Sequence, residues 1–115
     1  MVAAATAGRP PVRGDVYLVA LDPTVGSEIQ KTRPCLVVSP DELNGPLRTA
    51  IVAPMTTGGR AYPWRVACHF GGRDGRVALD QLRTVDRARL VRREGALAGA
   101  EVDAVLATLG RLFAP

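Results

Sequence analysis

The chain has 115 residues, 47% hydrophobic but only 4% aromatic, with a formal net charge of +4. That length allows one compact domain and excludes a second core. The composition asks for a core of Val, Leu, Ile and Ala.

Two isolated cysteines and one histidine exclude a disulfide scaffold and give no metal-ligand set. Cys35 and Cys68 sit in apolar runs and read as buried free thiols in a reducing cytoplasm. Met1–Pro11 lacks the basic start and Leu-rich centre of a targeting signal. No apolar stretch approaches the roughly 20 residues of a membrane span, so a soluble cytoplasmic protein with no membrane contact is expected. Arg outnumbers Lys fourteen to one. Part of that bias reflects genome composition, and no run of basic residues is dense enough to stand as a motif. A basic surface nonetheless attracts polyanions.

Residues 1–12 read as a flexible leader and 13–115 as a single domain. Val16–Leu21 is the first strand, apolar on both faces and therefore central or covered on both sides. Asp22-Pro23 stops it. The polar loop from Thr24 to Arg33 is long for a hairpin connection, and loops of this length are often functional. Pro34–Ser39 is a second strand with a continuous apolar centre.

Ser39 to Asn44 has the pattern of one capped helical turn, with Ser39 as N-cap, Pro40 at the first helical position and Glu42 completing a capping box. Thr49–Met55 is a third strand, where Pro54 implies an edge position or a bulge. Gly58-Gly59 is a turn. Tyr62–Phe70 is a fourth strand, Gly71–Gly75 a hairpin turn, Arg76–Val85 a fifth strand and Leu90–Arg93 a short sixth. From Gly99 the period changes. Val102, Val105, Leu106, Leu109, Leu112 and Phe113 recur at helical spacing and define the buried face of an amphipathic helix. The fold class is mainly β (α+β): an SH3-like, barrel-type twisted antiparallel sheet of five to six strands with a C-terminal helix.

Pairing the second and third strands across the short helical turn sets Leu36 opposite Ala53 and Val38 opposite Ile51. The same register sets Arg33 opposite Thr56, beside the long loop. An Arg fork matches two phosphate oxygens and stabilises charge building on a phosphorane-like transition state. A Thr hydroxyl can donate to the same oxygens. If the substrate is RNA, its own 2′-hydroxyl is the nucleophile. His69, the single histidine, lies at the far end of the fourth strand and reads as structural or surface. Glu28 reads equally as a proton acceptor, a partner of Arg33 or a surface charge. There is no Gly-x-Ser-x-Gly elbow and no phosphate-binding glycine loop.

Several blocks, in this order and spacing, resemble MazF/PemK-type toxins: Arg13-Gly14-Asp15-Val16-Tyr17, Asp22-Pro23-Thr24-Val25-Gly26-Ser27-Glu28, Thr32-Arg33-Pro34-Cys35-Leu36-Val37-Val38-Ser39, Ala53-Pro54-Met55-Thr56-Thr57, Tyr62-Pro63 and Asp80-Gln81-Leu82-Arg83-Thr84-Val85. The resemblance implies the toxin of a type II toxin–antitoxin system. Such a toxin is a sequence-specific, metal-independent endoribonuclease without cofactors. It cuts single-stranded RNA by 2′-hydroxyl attack, leaving a 2′,3′-cyclic phosphate and a 5′-hydroxyl, and so inhibits translation and growth.

It further implies a homodimer and an antitoxin whose acidic tail covers the RNA site. Residue by residue, Arg33 and Thr56 match the catalytic pair, and Gly26, Ser27 and Glu28 match a loop bordering the RNA groove. Lys31, Thr57 and Gln81 are further candidates for catalysis or RNA binding. Guanidinium barely deprotonates in proteins, so Arg33 is read as a stabiliser, with Glu28, water or a perturbed Arg33 left open as the base. The alternative is a non-catalytic toxin of the same fold that binds a protein such as DNA gyrase, although Leu112-Phe113-Ala114-Pro115 does not match a Trp-ended tail.

Overall fold

The computed structural model describes residues 9–115, so residues 1–8 of the expected leader lie outside it. Pro11 is buried, and the Val12 N–H donates to the Asp15 carboxylate at 3.0 Å. Seven strands form, where the sequence suggests five or six: β1 (Asp15–Ala20), β2 (Thr32–Val37), β3 (Thr49–Thr56), β4 (Arg65–Phe70), β5 (Arg73–Ala78), β6 (Arg83–Asp86) and β7 (Leu90–Ala96). Among the described residues two α-helices accompany them, α1 (Asp41–Asn44) and α2 (Gly99–Leu112).

The sheet runs β4-β5-β3-β2-β1-β7, with β6 also on β3, and every pairing is antiparallel. It is open rather than a closed barrel. It curls enough that Phe70 of β4 lies against Gly95 of β7, where an added Cβ would meet the ring at 3.1 Å.

Each face of the sheet carries an apolar core. Val16, Leu36, Val38, Ala53, Met55, Cys68, Val77, Leu79, Leu97 and Val105 form the core beneath α2. Tyr17, Val19, Leu21, Cys35, Val37, Val52, Val85 and Leu90 form a second core on the other face. The expected two-sided burial of the first strand follows, because Val16 enters one core while Tyr17 and Val19 enter the other.

Leu36 pairs with Ala53 as expected, within a ladder that also joins Cys35 to Pro54 and Val37 to Val52. Pro54 is not at an edge, because β3 lies inside the sheet. Its place follows from its missing N–H. The Val38 N–H donates to the Ile51 carbonyl at 3.0 Å. That bond makes Val38/Ile51 and Leu36/Ala53 the bonded pairs of an antiparallel ladder and turns the Pro54 nitrogen away from β2. On that far side, β6 pairs residues Thr49 to Val52 and β5 pairs Met55 and Thr56, leaving a gap at Pro54.

The single fifth strand expected over Arg76–Val85 is therefore two strands. A 3-10 turn at Leu79–Gln81 separates them and carries the chain past the proline.

Three other expectations change. Ser39 does not cap α1, whose N-cap is Pro40 without a side-chain bond. Buried Ser39 instead accepts the Ile51 N–H at 2.9 Å and bonds Asn44, tying α1 to β3. The hairpin turn shortens to Gly71-Gly72, both at positive φ (60° and 75°), with Phe70 opposite Arg73, the geometry a two-residue hairpin loop needs. On α2 the buried residues are Val105 and Thr108, with Val102 and Leu109 packed at the margin. Leu112 and Phe113, expected in the core, are exposed. Thr108 is tolerated inside because its hydroxyl donates to the Ala104 carbonyl at 2.8 Å.

Arg65 grips Asp80 with two bonds of 2.8 and 2.7 Å, fastening β4 to the 3-10 turn. The guanidinium hydrogen bond holds the Asp80 carboxyl below its usual range. A depressed carboxyl contributes stability above its unfolded value and loses it as pH falls through the folded one. Acid titration of stability should therefore weaken below about pH 4 in the native chain. In Asp80→Asn that part of the acid dependence should be missing, as read by denaturant midpoints from pH 2 to 6. On α2, Val105→Asp should unfold the protein by burying an unpaired charge. Ala104→Asp, one residue away on the exposed face, should cost under about 1 kcal/mol. Thermal melts of the two variants decide the helix orientation.

Candidate functional site

The β1–β2 loop is fixed at its root by backbone and arginine contacts. The Leu21 N–H donates to the Lys31 carbonyl at 2.9 Å. The Arg83 guanidinium donates to the Leu21 carbonyl at 3.1 Å, and Arg89 donates to those of Ala20 and Asp22 at 3.0 and 2.6 Å. Lys31 takes the left-handed conformation (φ 71°) that turns the chain into β2. Within the loop, Glu28 accepts the Val25 N–H at 2.8 Å, and Gly26 supplies a positive φ between them. The Gln81 side chain accepts the Ile29 N–H at 3.1 Å, so the 3-10 turn after β5 holds the middle of the loop.

Arg33 and Thr56 meet in one cleft. It has a volume of about 220 Å³ and is walled by Arg33, Pro34, Met55, Thr56, Thr57, Cys68, Phe70, Arg73, Asp74 and Gly75. Cys35 and Pro54 are the last residues of the β2–β3 ladder, and Arg33 and Thr56 lie two residues beyond it. Arg33 is half-buried, and its Nε donates to the Gln30 carbonyl at 2.9 Å. No carboxylate lies within ion-pair distance of Arg33 among the described residues. Its terminal nitrogens therefore remain available as a fork. The Thr56 hydroxyl has only a long contact, 3.4 Å, to the Gly58 carbonyl. Gly75 crosses so close that a Cβ there would lie 2.5 Å from the Thr56 carbonyl oxygen.

The other expected residues separate into two groups. Thr57 joins the cleft. Glu28 and Gln81 line a second hollow of about 420 Å³ with Ile29, Pro54, Asp80, Leu82 and Arg83. Gly26, Ser27 and Lys31 are exposed on the loop and line neither space. Glu28 therefore lines a different hollow from the one that holds Arg33. Arg73 and Asp74, read only as turn residues in the sequence, stand in the cleft wall. The Arg-Asp-Gly run after the glycines was the available signal, because a two-glycine turn puts the next residues back into a strand.

The thiol in the wall is chemically quiet. Burial, with Glu101 and Asp74 nearby, pushes Cys68 up to about 11, and burial pushes Cys35 up to about 12. Neither is a thiolate at neutral pH. No group of three or more metal-ligating side chains occurs among the described residues. The cleft thus offers a guanidinium fork and a hydroxyl, with no activated protein nucleophile. That set suits stabilising charge on a phosphoryl group attacked by a nucleophile the substrate carries.

Three comparisons bear on identity. The endoribonuclease PemK of Escherichia coli is 43% identical over 79 residues, a match spanning 64% of this chain and 59% of that protein. The endoribonuclease toxin MazF of Escherichia coli K12 is 34% identical over 104 residues, covering 90% of this chain and 94% of that protein. A mycobacterial endoribonuclease solved in complex with its cognate antitoxin superposes with a TM-score of 0.77 at 25% identity, over 91% of this chain and 97% of that one. Residues 12–113 match the model of the PemK-like, MazF-like toxins of type II toxin–antitoxin systems, and the chain belongs to that family.

Proposed function

We propose that the Arg33–Thr56 cleft is where this endoribonuclease toxin cuts single-stranded RNA. The observation that carries the reading is that Arg33, which has no carboxylate partner among the described residues, lines the same cleft as Thr56. The scissile phosphate sits between them. Arg33 holds two non-bridging oxygens, and its fixed charge stabilises the extra negative charge of the phosphorane-like transition state. The adjacent 2′-oxygen forms the bond to phosphorus while its proton passes to water. The P–O5′ bond breaks, and the 5′-oxygen takes a proton from solvent through the Thr56 hydroxyl. The products are a 2′,3′-cyclic phosphate and a 5′-hydroxyl, and no metal or cofactor takes part.

The partners follow from the same chemistry. An antitoxin with an acidic, flexible tail is the regulatory partner, because carboxylates compete with phosphates for Arg33 and neighbouring arginines. A homodimer extends the groove across two copies. The setting is the cytoplasm, where RNA and antitoxin both occur. Among the described residues, no helix is long and apolar enough to cross a membrane.

The test is incubation with mixed-sequence single-stranded RNA in excess chelator, followed by end-group analysis. Cyclic phosphate ends should appear with the native chain and vanish in Arg33→Ala and Thr56→Ala. Arg33→Lys keeps the charge but loses the fork, and its cleavage rate should fall by well over tenfold (~100- to 1000-fold). Cleavage by Arg33→Lys at the native rate would remove bidentate phosphate contact from the mechanism. Gly75→Ala should also slow cutting, because its Cβ forces the Thr56 backbone aside. The accompanying loss of stability should be about 1–3 kcal/mol, measured by urea unfolding.

A further inference from the structure

A third hollow, of about 520 Å³, adjoins the cleft and shares Thr57, Cys68, Asp74 and Gly75 with it. Its remaining walls are Ala67, His69, Arg76 and Glu101. The ladder register shows which of these side chains stand together. Thr56 pairs with Arg76, Arg76 with Ala67, and Asp74 with His69. Cross-strand partners share a face, and so do residues two apart on one strand. Thr56, Arg76, Asp74 and His69 therefore project from one face of the β3–β5–β4 sheet, opposite to α2, whose core takes Met55, Val77 and Cys68.

His69 is exposed yet held at two points. Its ring Nδ1 lies 2.8 Å from an Asp74 carboxylate oxygen, and its backbone N–H donates to Glu101 at 2.7 Å. The ring side chain is 63% exposed. Arg76 is steadied by the Gly59 carbonyl at 3.2 Å. The Asp74 contact orients the ring and the Glu101 contact holds the backbone beneath it, and an oriented ring loses less freedom on binding.

Distance decides what the ring does. His69 is two strands from Thr56 and about two residues along, which puts the two Cα atoms roughly 12 Å apart. The ring accordingly lines the neighbouring hollow and not the cleft that holds Arg33 and Thr56.

We infer that the hollow over β4 and β5 is a subsite for an RNA nucleotide flanking the cut, with Arg76 on its phosphate and the His69 ring against its base. The inference rests on the RNA-cutting reading above. Unpaired bases stack on exposed aromatic rings, histidine included, and arginine follows the backbone charge. Asp74 fixes the ring plane, which makes it a positioning residue. Thr57 lies on the shared wall between the subsite and the cleft.

Binding and cutting are measured separately to test this. Binding uses a fluorescent mixed-sequence RNA, 2′-O-methylated so that it cannot be cut. Cutting uses the unmodified RNA over a range of concentrations. His69→Ala should weaken binding and raise KM about tenfold while kcat stays within about threefold, since a base–aromatic stack is worth about 1–3 kcal/mol. His69→Phe should restore affinity by keeping the stack. Arg76→Ala should weaken binding and lower the salt slope by about 0.7, the loss of one single-strand phosphate contact. Native affinity and KM in both His69→Ala and Arg76→Ala would overturn the subsite, as would His69→Phe no better than His69→Ala. Arg33→Ala separates the two readings. If it binds the 2′-O-methyl RNA without cutting the unmodified one, the cleft reading stands whatever the subsite variants do. If the native chain binds and cuts no RNA, both fall together.

Discussion

The sheet is arranged around a missing hydrogen. Pro54 has no N–H, and its nitrogen faces the side of β3 where β6 ends and β5 begins. Had a donor stood there, one continuous neighbour strand along β3 would have been the simplest ladder. The chain instead makes a 3-10 turn at Leu79–Gln81 opposite the gap, and three features follow from it. The second half of β3 acquires its own small sheet with β5 and β4. Gln81 is brought out on the turn, where it holds Ile29 of the β1–β2 loop. Arg65 reaches Asp80 across the same turn and keeps β4 in place. Both the cleft and the subsite beside it belong to the half of β3 beyond the proline.

The arginines show why the net charge is a poor guide to function. Arg13, Arg83, Arg87 and Arg89 donate to backbone carbonyls of Val38, Leu21, Asn44 and Ala20. Arg65, Arg92 and Arg93 pair with Asp80, Glu94 and Asp15. These seven side chains cap carbonyls or neutralise acids. An arginine can do this while keeping its stem packed on apolar surface, which suits a chain with few aromatic residues. Arg33 also has one backbone anchor and no acid, as Arg13, Arg83 and Arg76 do, but it stands in the cleft beside Thr56, where its remaining donors can meet a ligand.

Much of this was legible in the sequence because it depended on local rules. The apolar centre of β2 and the turn length to β3 fixed Leu36 opposite Ala53, and that register alone puts Arg33 and Thr56 at one end of the sheet. The glycine pair at residues 71 and 72 marked a hairpin for steric reasons that need no tertiary context. What escaped depended on neighbours. Alternation runs on through Val77 and Leu79, so period alone cannot reveal a turn between β5 and β6. Helical spacing likewise runs on to Leu112 and Phe113, past the point where α2 leaves the core. Thr108 is buried because its hydroxyl finds a carbonyl within its own helix. Asp74 and His69 gain meaning only from their pairing, which the shortened hairpin turn produces.

The acids near the candidate groove raise the sharpest electrostatic question. A surface meant for RNA has Glu28, Asp74, Asp80 and Glu101 along its hollows. A bare carboxylate about 5 Å from a phosphate would oppose binding by roughly 3 kcal/mol at an effective dielectric near 20, enough to cancel a good arginine contact. Each of the four is instead committed to a donor: Glu28 to the Val25 N–H, Asp74 to the His69 ring, Asp80 to Arg65 and Glu101 to the His69 N–H. These bonds turn the acids' charge into loop, ring and helix placement, and part of their field is cancelled by the donors they hold. The acids fix the groove's shape, and the donors left without partners, above all the Arg33 fork, set the sign of what it attracts.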